Sequence, residues 1–184
     1  SVQREYFERV VERMKAGYAA GETPNPDVLC NSEIKFGLLY DWAMAEGYDY
    51  VATGHYARVE RRKSEIRNSK LETNPKFEFQ NVKAELHTAV DSFKDQTYFL
   101  WRVPRERFEH ILFPIGHLNK SEVRRIAADC RLPIADKPDS QGICFLGHVN
   151  VHEWLRRELK TQPGPVVDCS GRRVGTHQGA ALAT

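Results

Sequence analysis

The chain has 184 residues, 41% of them hydrophobic and 28% charged, with a formal net charge of +2. Enough apolar side chain is present for a globular core, which sets disorder aside, and the length suits one domain or one domain plus part of another. The near-neutral balance excludes a global electrostatic footprint for nucleic acid; no apolar run approaches the ~20 residues of a membrane span, and no charged-then-apolar leader suggests secretion.

Residues 2–20 are predicted to be helical, with Tyr6, Phe7, Val10, Val11 and Met14 along one face and Gly21 as the stop. In Thr23-Pro24-Asn25-Pro26-Asp27 each proline fixes its own φ and extends the residue before it, so this stretch is predicted to be a stiff, non-helical loop. A second helix is predicted over 31–46, with Ile34, Leu38, Leu39 and Trp42 as its buried stripe and Gly47 as its end. Tyr48–Thr53 reads as a strand leading into Gly54-His55-Tyr56. A helix followed by a buried strand implies an α/β fold with parallel strands.

Residues 60–85 are polar and basic, and read as a long hairpin loop or mobile insertion. A strand is predicted at Leu86–Val90, a short helix at Asp95–Trp101 and another after Pro104. Asn119 with Glu122 has the spacing of a capping box. Val123, Ile126, Ala127 and Cys130 follow at helical spacing, which predicts Cys130 as a core residue. Leu132–Ala135 reads as a short strand, Asp139–Phe145 as a turn into a strand, and Val151–Leu159 as a helix. Gln162–Pro165 reads as a linker and Val166–Gly175 as a hairpin around Ser170-Gly171. A domain boundary is placed near 147, and there is no internal repeat. The chain begins and ends as a piece of a longer protein would.

The four cysteines stand at 30, 130, 144 and 169, with no close Cys-x-x-Cys pair, and a reducing compartment makes structural disulfides unexpected. Cys30 follows the proline loop at a predicted helix start, where unpaired amides and the helix dipole favour a thiolate, although a small packed hydrophobe fits the position as well. Asp27 beside it is either a helix cap or a proton shuttle. Cys144 follows Gly142 and lies between Ile143 and Phe145, which suits a reactive thiol or a core cysteine. Gly54-His55 ends a predicted strand, where α/β sheets bind ligands, although a plain turn also fits. Lys94-Asp95-Gln96 combines a cation, an anion and an amide at a helix start, suited to phosphate and base contacts or to a solvated terminus. Arg and Lys cluster at 61–63, 102–107, 120–125 and 156–157, which leaves room for a local nucleic-acid footprint, although charge runs are usually solvated faces. The seven histidines lack metal-ligand spacing, so no metal site is predicted.

Several of these segments carry a resemblance. Gly-Glu-Thr-Pro-Asn-Pro-Asp-Val-Leu-Cys-Asn-Ser-Glu-Ile-Lys-Phe at 21–36 resembles the hallmark run of tRNA-specific 2-thiouridylases. Ala-Thr-Gly-His-Tyr-Ala (52–57), Lys-Asp-Gln-Thr-Tyr-Phe-Leu (94–100), Leu-Phe-Pro-Ile-Gly (112–116) and Asp-Ser-Gln-Gly-Ile-Cys-Phe-Leu-Gly (139–147) resemble further family segments in the same order. So does the late Pro-Gly-Pro and Gly-Thr-His-Gln-Gly stretch. The resemblance implies a parallel-sheet α/β domain of the pyrophosphatase-loop, adenine-nucleotide hydrolase-like type over 1–147, incomplete, and the start of a small central domain over 148–184. It further implies that ATP, with Mg2+, adenylates C2 of a wobble uridine in tRNA and that a persulfide sulfur then replaces the oxygen. Cys144 would carry the persulfide, received from a sulfur-relay protein or a cysteine desulfurase. Cys30 would attack it, releasing hydrosulfide or leaving a Cys30–Cys144 disulfide. Asn25, Pro26 and Asp27 match the segment touching the target base; His55, Lys94, Asp95 and Gln96 match tRNA contacts, and Gly54 a nucleotide contact.

The family's Ser-Gly-Gly-x-Asp-Ser phosphate loop is absent from these 184 residues, and so is its C-terminal barrel. The fragment alone is therefore expected to be inactive. The resemblance implies a monomer in the cytoplasm, or alternatively in a mitochondrion, with no membrane partner. Three other readings compete: an RNA-binding module without catalysis, a redox switch made by the two thiols, and an adenylating enzyme acting on another substrate.

Overall fold

The computed structural model describes residues 2–63, 82–136 and 151–182. The chain divides into two compact units, one made of residues 1–34 with 138–184 and the other of residues 35–137. Both hold helices, and the second holds a parallel strand pair, so the α/β class read from the sequence is borne out.

In the first unit a continuous helix runs through Gln3–Tyr6, Phe7–Val11 and Glu12–Ala19, the middle part in π geometry. Gly21 ends it as expected: at φ +80° it lets Glu22 N–H reach Gly17 O at 2.9 Å and Gly21 N–H reach Tyr18 O at 3.1 Å. Val11 and Met14 pack on Trp154 and Leu155 of the helix Val151–Leu159, while Val10 joins Leu29 and Cys30. Phe7, predicted to lie on the buried face, is 50% exposed. A π turn closes its hydrogen bonds one residue later than an α turn, so the α periodicity that grouped Phe7 with Met14 slips there. Lys15 Nζ reaches Glu158 at 3.2 Å, and Arg13 reaches Glu33 at 3.0 Å. Two antiparallel strands, Gly164–Val167 and Arg173–His177, form the predicted hairpin, with Gly171 at φ +82° in its turn. The expected linker at Gln162–Pro165 is thus partly strand.

The second unit is built around Phe36, Ala57, Ala84, Leu100, Val103, Phe108, Ile111 and Phe113. Its strands are β1 (Val51–Ala52), β2 (Ala57–Lys63), β3 (Val82–Thr88) and β4 (Ile111–Leu112). β1 pairs in parallel with β4, Val51 opposite Ile111, and Thr53 N–H extends the ladder to Leu112 O at 3.0 Å. β2 and β3 pair antiparallel from Ala57 opposite Thr88 to Lys63 opposite Val82. Residues 60–63 and 82–85, predicted as loop, are therefore strand, because pairing across the hairpin supports even the charged run Glu60-Arg61-Arg62-Lys63. Gly116 closes against β2: a Cβ there would lie 1.6 Å from Ala57 O, so only glycine fits.

The helix Cys30–Leu39 continues as Tyr40–Ala45 and stops at Gly47, φ +85°, as predicted. Its stripe is only partly the predicted one: Ile34 packs against Cys30 and its neighbours and Leu38 is half-buried, but Leu39 and Trp42 are exposed and Phe36, not predicted, is fully buried. Cys30–Leu39 is π-helical, which again shifts the face. The Arg107 guanidinium donates to the carbonyls of Phe36 and Gly37, a side-chain donor competing within the helical ladder. The expected helices at Asp95–Trp101 and after Pro104 are 3-10 turns, Thr97–Leu100 and Arg105–His110.

The capping box at Asn119 is present, Glu122 accepting from Asn119 N–H at 2.8 Å. Its helix, Lys120–Asp129, buries no residue, and Cys130 is exposed, contrary to the core assignment. Spacing identified an apolar stripe, but no element among the described residues buries it. Leu132–Ala135 is turn rather than strand: Arg131 takes φ +54° and Ala135 N–H closes back on Leu132 O at 3.0 Å. The predicted turn and strand at 139–145 lie outside the described residues.

Candidate active site

Asn25, Pro26, Asp27 and Cys30 come together on one helix start. Asn25 is the N-cap, at φ −100° and ψ 103°, and its Oδ1 accepts from Asp27 N–H at 3.0 Å and Val28 N–H at 3.3 Å. Pro26 opens the helix Pro26–Leu29 at a position where no N–H is needed. The sequence reading excluded Pro26 and Asp27 from helix; both are in its first turn. Asp27 therefore does not cap the helix, and its carboxylate stands in the first turn, where the dipole favours negative charge.

Cys30 sits a turn further in than spacing implied. Its N–H donates to Pro26 O and Asp27 O, so it is not one of the orphan amides that would hold a thiolate. The side chain is 5% exposed, packed with Val10 and Leu29 and flanked by Tyr6 and Ile34. Cys30 is also the first residue of the π-helical stretch, and π turns within α-helices recur at functional sites. Asn31, next to it, is 2% exposed. Sequence reasoning missed this buried amide, whose only signal was a polar residue directly after Leu29-Cys30.

In the other unit, Gly54 follows the last ladder bond at the carboxyl end of β1, the end where open α/β sheets bind ligands. A Cβ on Gly54 would meet only Ile115 Cδ1, at 4.0 Å, so the backbone is approachable. His55 is 7% exposed, its ring centroid 5.7 Å from Phe36 and 5.8 Å from Phe113. Burial, with the nearby Lys35 charge, pushes its pKa down to about 4, so the imidazole is neutral at neutral pH. Nδ1 lies 2.8 Å from Thr53 Oγ1. Tyr56 N–H donates to Gln96 Oε1 at 2.9 Å, and Gln96 N–H donates to Tyr56 O at 2.8 Å. Gln96 thus ties the 94–96 segment to the strand end carrying Gly54 and His55, a pairing that spacing did not reveal. Asp95 accepts from Ala89 N–H at 2.6 Å and Thr97 Oγ1 at 2.9 Å, and Lys94 is exposed. The Tyr56 hydroxyl is buried without a hydrogen-bond partner among the described residues.

Cys144 lies outside the described residues. Among the described residues, no group of three His, Cys, Asp or Glu is placed to hold a metal ion, and no helix is long and apolar enough to cross a membrane.

Residues 1–148 match the family model described as tRNA methyl transferase HUP domain. Over 182 residues, 99% of the chain, the sequence is 45% identical to proteins named tRNA-specific 2-thiouridylase MnmA in Streptococcus agalactiae serotype III (strain NEM316) and Streptococcus pyogenes serotype M49 (strain NZ131). The chain spans 44% of the length of these relatives.

Proposed function

From the premise that the chain belongs to the tRNA methyl transferase HUP-domain family, we propose that it is the central part of a tRNA-uridine 2-sulfurtransferase. The observation that carries this reading is the 45% identity to 2-thiouridylases, sustained over 99% of the chain. The family description speaks of methyl transfer and the relatives' names of thiolation. A match that covers nearly the whole chain is the closer guide, and a cysteine-centred site suits sulfur chemistry better than methyl transfer. We place the catalytic domain over 1–147 and the beginning of a central domain after it; the family match, which ends at 148, supports that boundary.

In this reading Gly54 contacts ATP at the strand end, and the nucleotide, with Mg2+, supplies AMP as a leaving group for the uridine C2 oxygen. Asn25, Pro26 and Asp27 receive the target base, with Asp27 placed to move a proton. His55, Lys94, Asp95 and Gln96 contribute to the tRNA surface, Lys94 directly and Gln96 by fixing the loop on Tyr56. Cys144 carries the persulfide. The Cys30 thiolate attacks the inner sulfur, the Cys144 S–S bond breaks, and a Cys30–Cys144 disulfide forms. The outer sulfur either leaves first as hydrosulfide and attacks C2, or is already bonded to C2 when the disulfide forms. A thiol reductant then restores both cysteines. The sulfur comes from a relay protein or a cysteine desulfurase, in a cytoplasmic or mitochondrial setting.

The test uses the full-length protein with a tRNA transcript, ATP, Mg2+ and a cysteine desulfurase supplied with cysteine. Nucleosides are then analysed by mass spectrometry. One 2-thiouridine per AMP is expected, falling to background in Cys144→Ser and Cys30→Ser. Thiolation at the wild-type rate in either variant overturns the two-thiol mechanism. Binding of tRNA without any thiolation favours a non-catalytic RNA module, and reversible thiol oxidation indifferent to tRNA favours a redox switch.

A further inference from the structure

Three aromatic residues of the second unit are largely exposed. Phe93 is 96% exposed, Tyr98 65% and Trp101 66%. Phe93 lies on the turn before Lys94, and the other two belong to the 3-10 segment Thr97–Leu100 and the residue after it. With three residues per turn, positions i and i+3 eclipse, so Tyr98 and Trp101 rise from one side. Aromatic rings normally contribute most when covered, and an exposed group of them marks a surface that something else covers.

The charges around the rings indicate what that is. The segment from Asp91 to Arg105 holds two carboxylates, and both are turned onto backbone amides. Asp91 accepts from Phe93 N–H at 3.1 Å and Lys120 N–H at 2.9 Å; Asp95 accepts from Ala89 N–H at 2.6 Å and Thr97 N–H at 3.2 Å. Lys94, Arg102 and Arg105 are exposed, Arg105 Nε also donating to Ala84 O at 3.3 Å. The exposed charges of the segment itself are thus cations; the nearest carboxylates are Glu85, which lines a groove with Trp101 and Arg105, and the exposed Glu106. The unit's other exposed aromatics among the described residues, Trp42, Tyr48 and Tyr50, stand among exposed Asp41, Glu46 and Asp49 in the chain, a setting that repels phosphate.

We propose that Phe93, Tyr98 and Trp101 form a stacking platform for unpaired bases of the tRNA substrate, with Lys94, Arg102 and Arg105 facing its phosphates. Any base has a face to stack, so the platform reads single-strandedness rather than sequence. The proposal rests on the thiolation reading for the identity of the RNA, but its outcome is separable from it.

The experiment measures binding of an unmodified tRNA transcript to the full-length protein at several salt concentrations, beside the thiolation assay. Phe93→Ala and Tyr98→Ala remove rings that are mostly solvent-exposed, so folding is undisturbed. Each is expected to weaken Kd about ten-fold while leaving the salt dependence unchanged; Phe93→Trp and Tyr98→Phe restore it. Arg102→Gln is expected instead to lower the salt slope by about one. Unchanged Kd in both alanine variants, with thiolation intact in the wild type, overturns the platform and leaves the enzyme reading standing. Unchanged Kd combined with loss of desulfurase-dependent thiolation also overturns it, in favour of a surface for the sulfur donor. A wild-type protein that neither binds nor thiolates tRNA overturns both readings.

Discussion

At the scale of single residues, His55 shows how an environment chooses a role. The imidazole lies between Phe36 and Phe113, with Lys35 adding repulsion, and its pKa falls to about 4. In the unfolded chain it returns to about 6.5. Above that value both states are neutral and the group contributes nothing to pH dependence. As the pH falls, the unfolded state takes up a proton that the folded state refuses, so stability declines between about 6.5 and 4. The full loss is about 3 kcal/mol. Denaturant midpoints measured across that range are expected to fall in the wild type and to fall less in His55→Gln, which cannot titrate. Equal declines in both proteins would place the sensitivity elsewhere. In any RNA complex His55 would then act as a hydrogen-bonding group rather than a cation. The sequence marked Gly54-His55 as a strand end, but burial depends on Phe36 and Phe113, remote in the chain, and local reading has no access to such packing.

At the scale of elements, the helix ends were legible and the helix faces only in part: Val10, Val11 and Met14 are buried as read, but Phe7, Leu39 and Trp42 are exposed. Gly21 and Gly47 stop their helices as read, and Glu122 closes its capping box, because these devices act within a few residues. The π-helical stretches at Phe7–Val11 and Cys30–Leu39 displaced the buried faces, and nothing in a 3.6-residue periodicity announces them. The start of the Cys30 helix was misread because Pro26 was treated as a breaker, when at the first helical position it is an initiator. That start rests on Asn25 Oδ1, which serves two amides. Asn25→Ala is expected to cost about 1 kcal/mol in chemical denaturation, whereas Asn25→Asp retains most of the stability. If alanine is tolerated without loss, the Asn25 side chain does not hold the helix start, and the base-contacting role proposed for it becomes the sufficient reason for its presence.

At the scale of the molecule, the thiols divide by exposure in a way the sequence did not predict. Cys130 followed an apolar stripe and was read as core, yet it is exposed; Cys30 was open between a reactive thiol and a packed one, and it is 5% exposed. Spacing along a helix says which residues share a face, and only the neighbouring elements say whether that face is covered. The α/β class survived because it depends on the order of elements, whereas the site depends on which faces meet. The proposed attack by Cys30 on a persulfide consequently requires its surroundings, Val10, Leu29, Tyr6 and Ile34, to open. Local opening with a free energy of about 1.4 kcal/mol already slows a reaction ten-fold, and core segments open less readily than termini or loops. Alkylation with iodoacetamide under native conditions, followed by peptide mass spectrometry, is therefore expected to modify Cys130 and Cys169 first. Cys30 should react at least about ten-fold more slowly and reach the rate of the others only in denaturant. Repeating the reaction with tRNA bound to the full-length protein then tests the mechanism itself. If substrate binding opens the pocket, Cys30 labelling accelerates while Cys130 and Cys169 stay unchanged. Fast labelling of Cys30 without tRNA would mean that its packing is loose in solution and that no gating step precedes sulfur transfer.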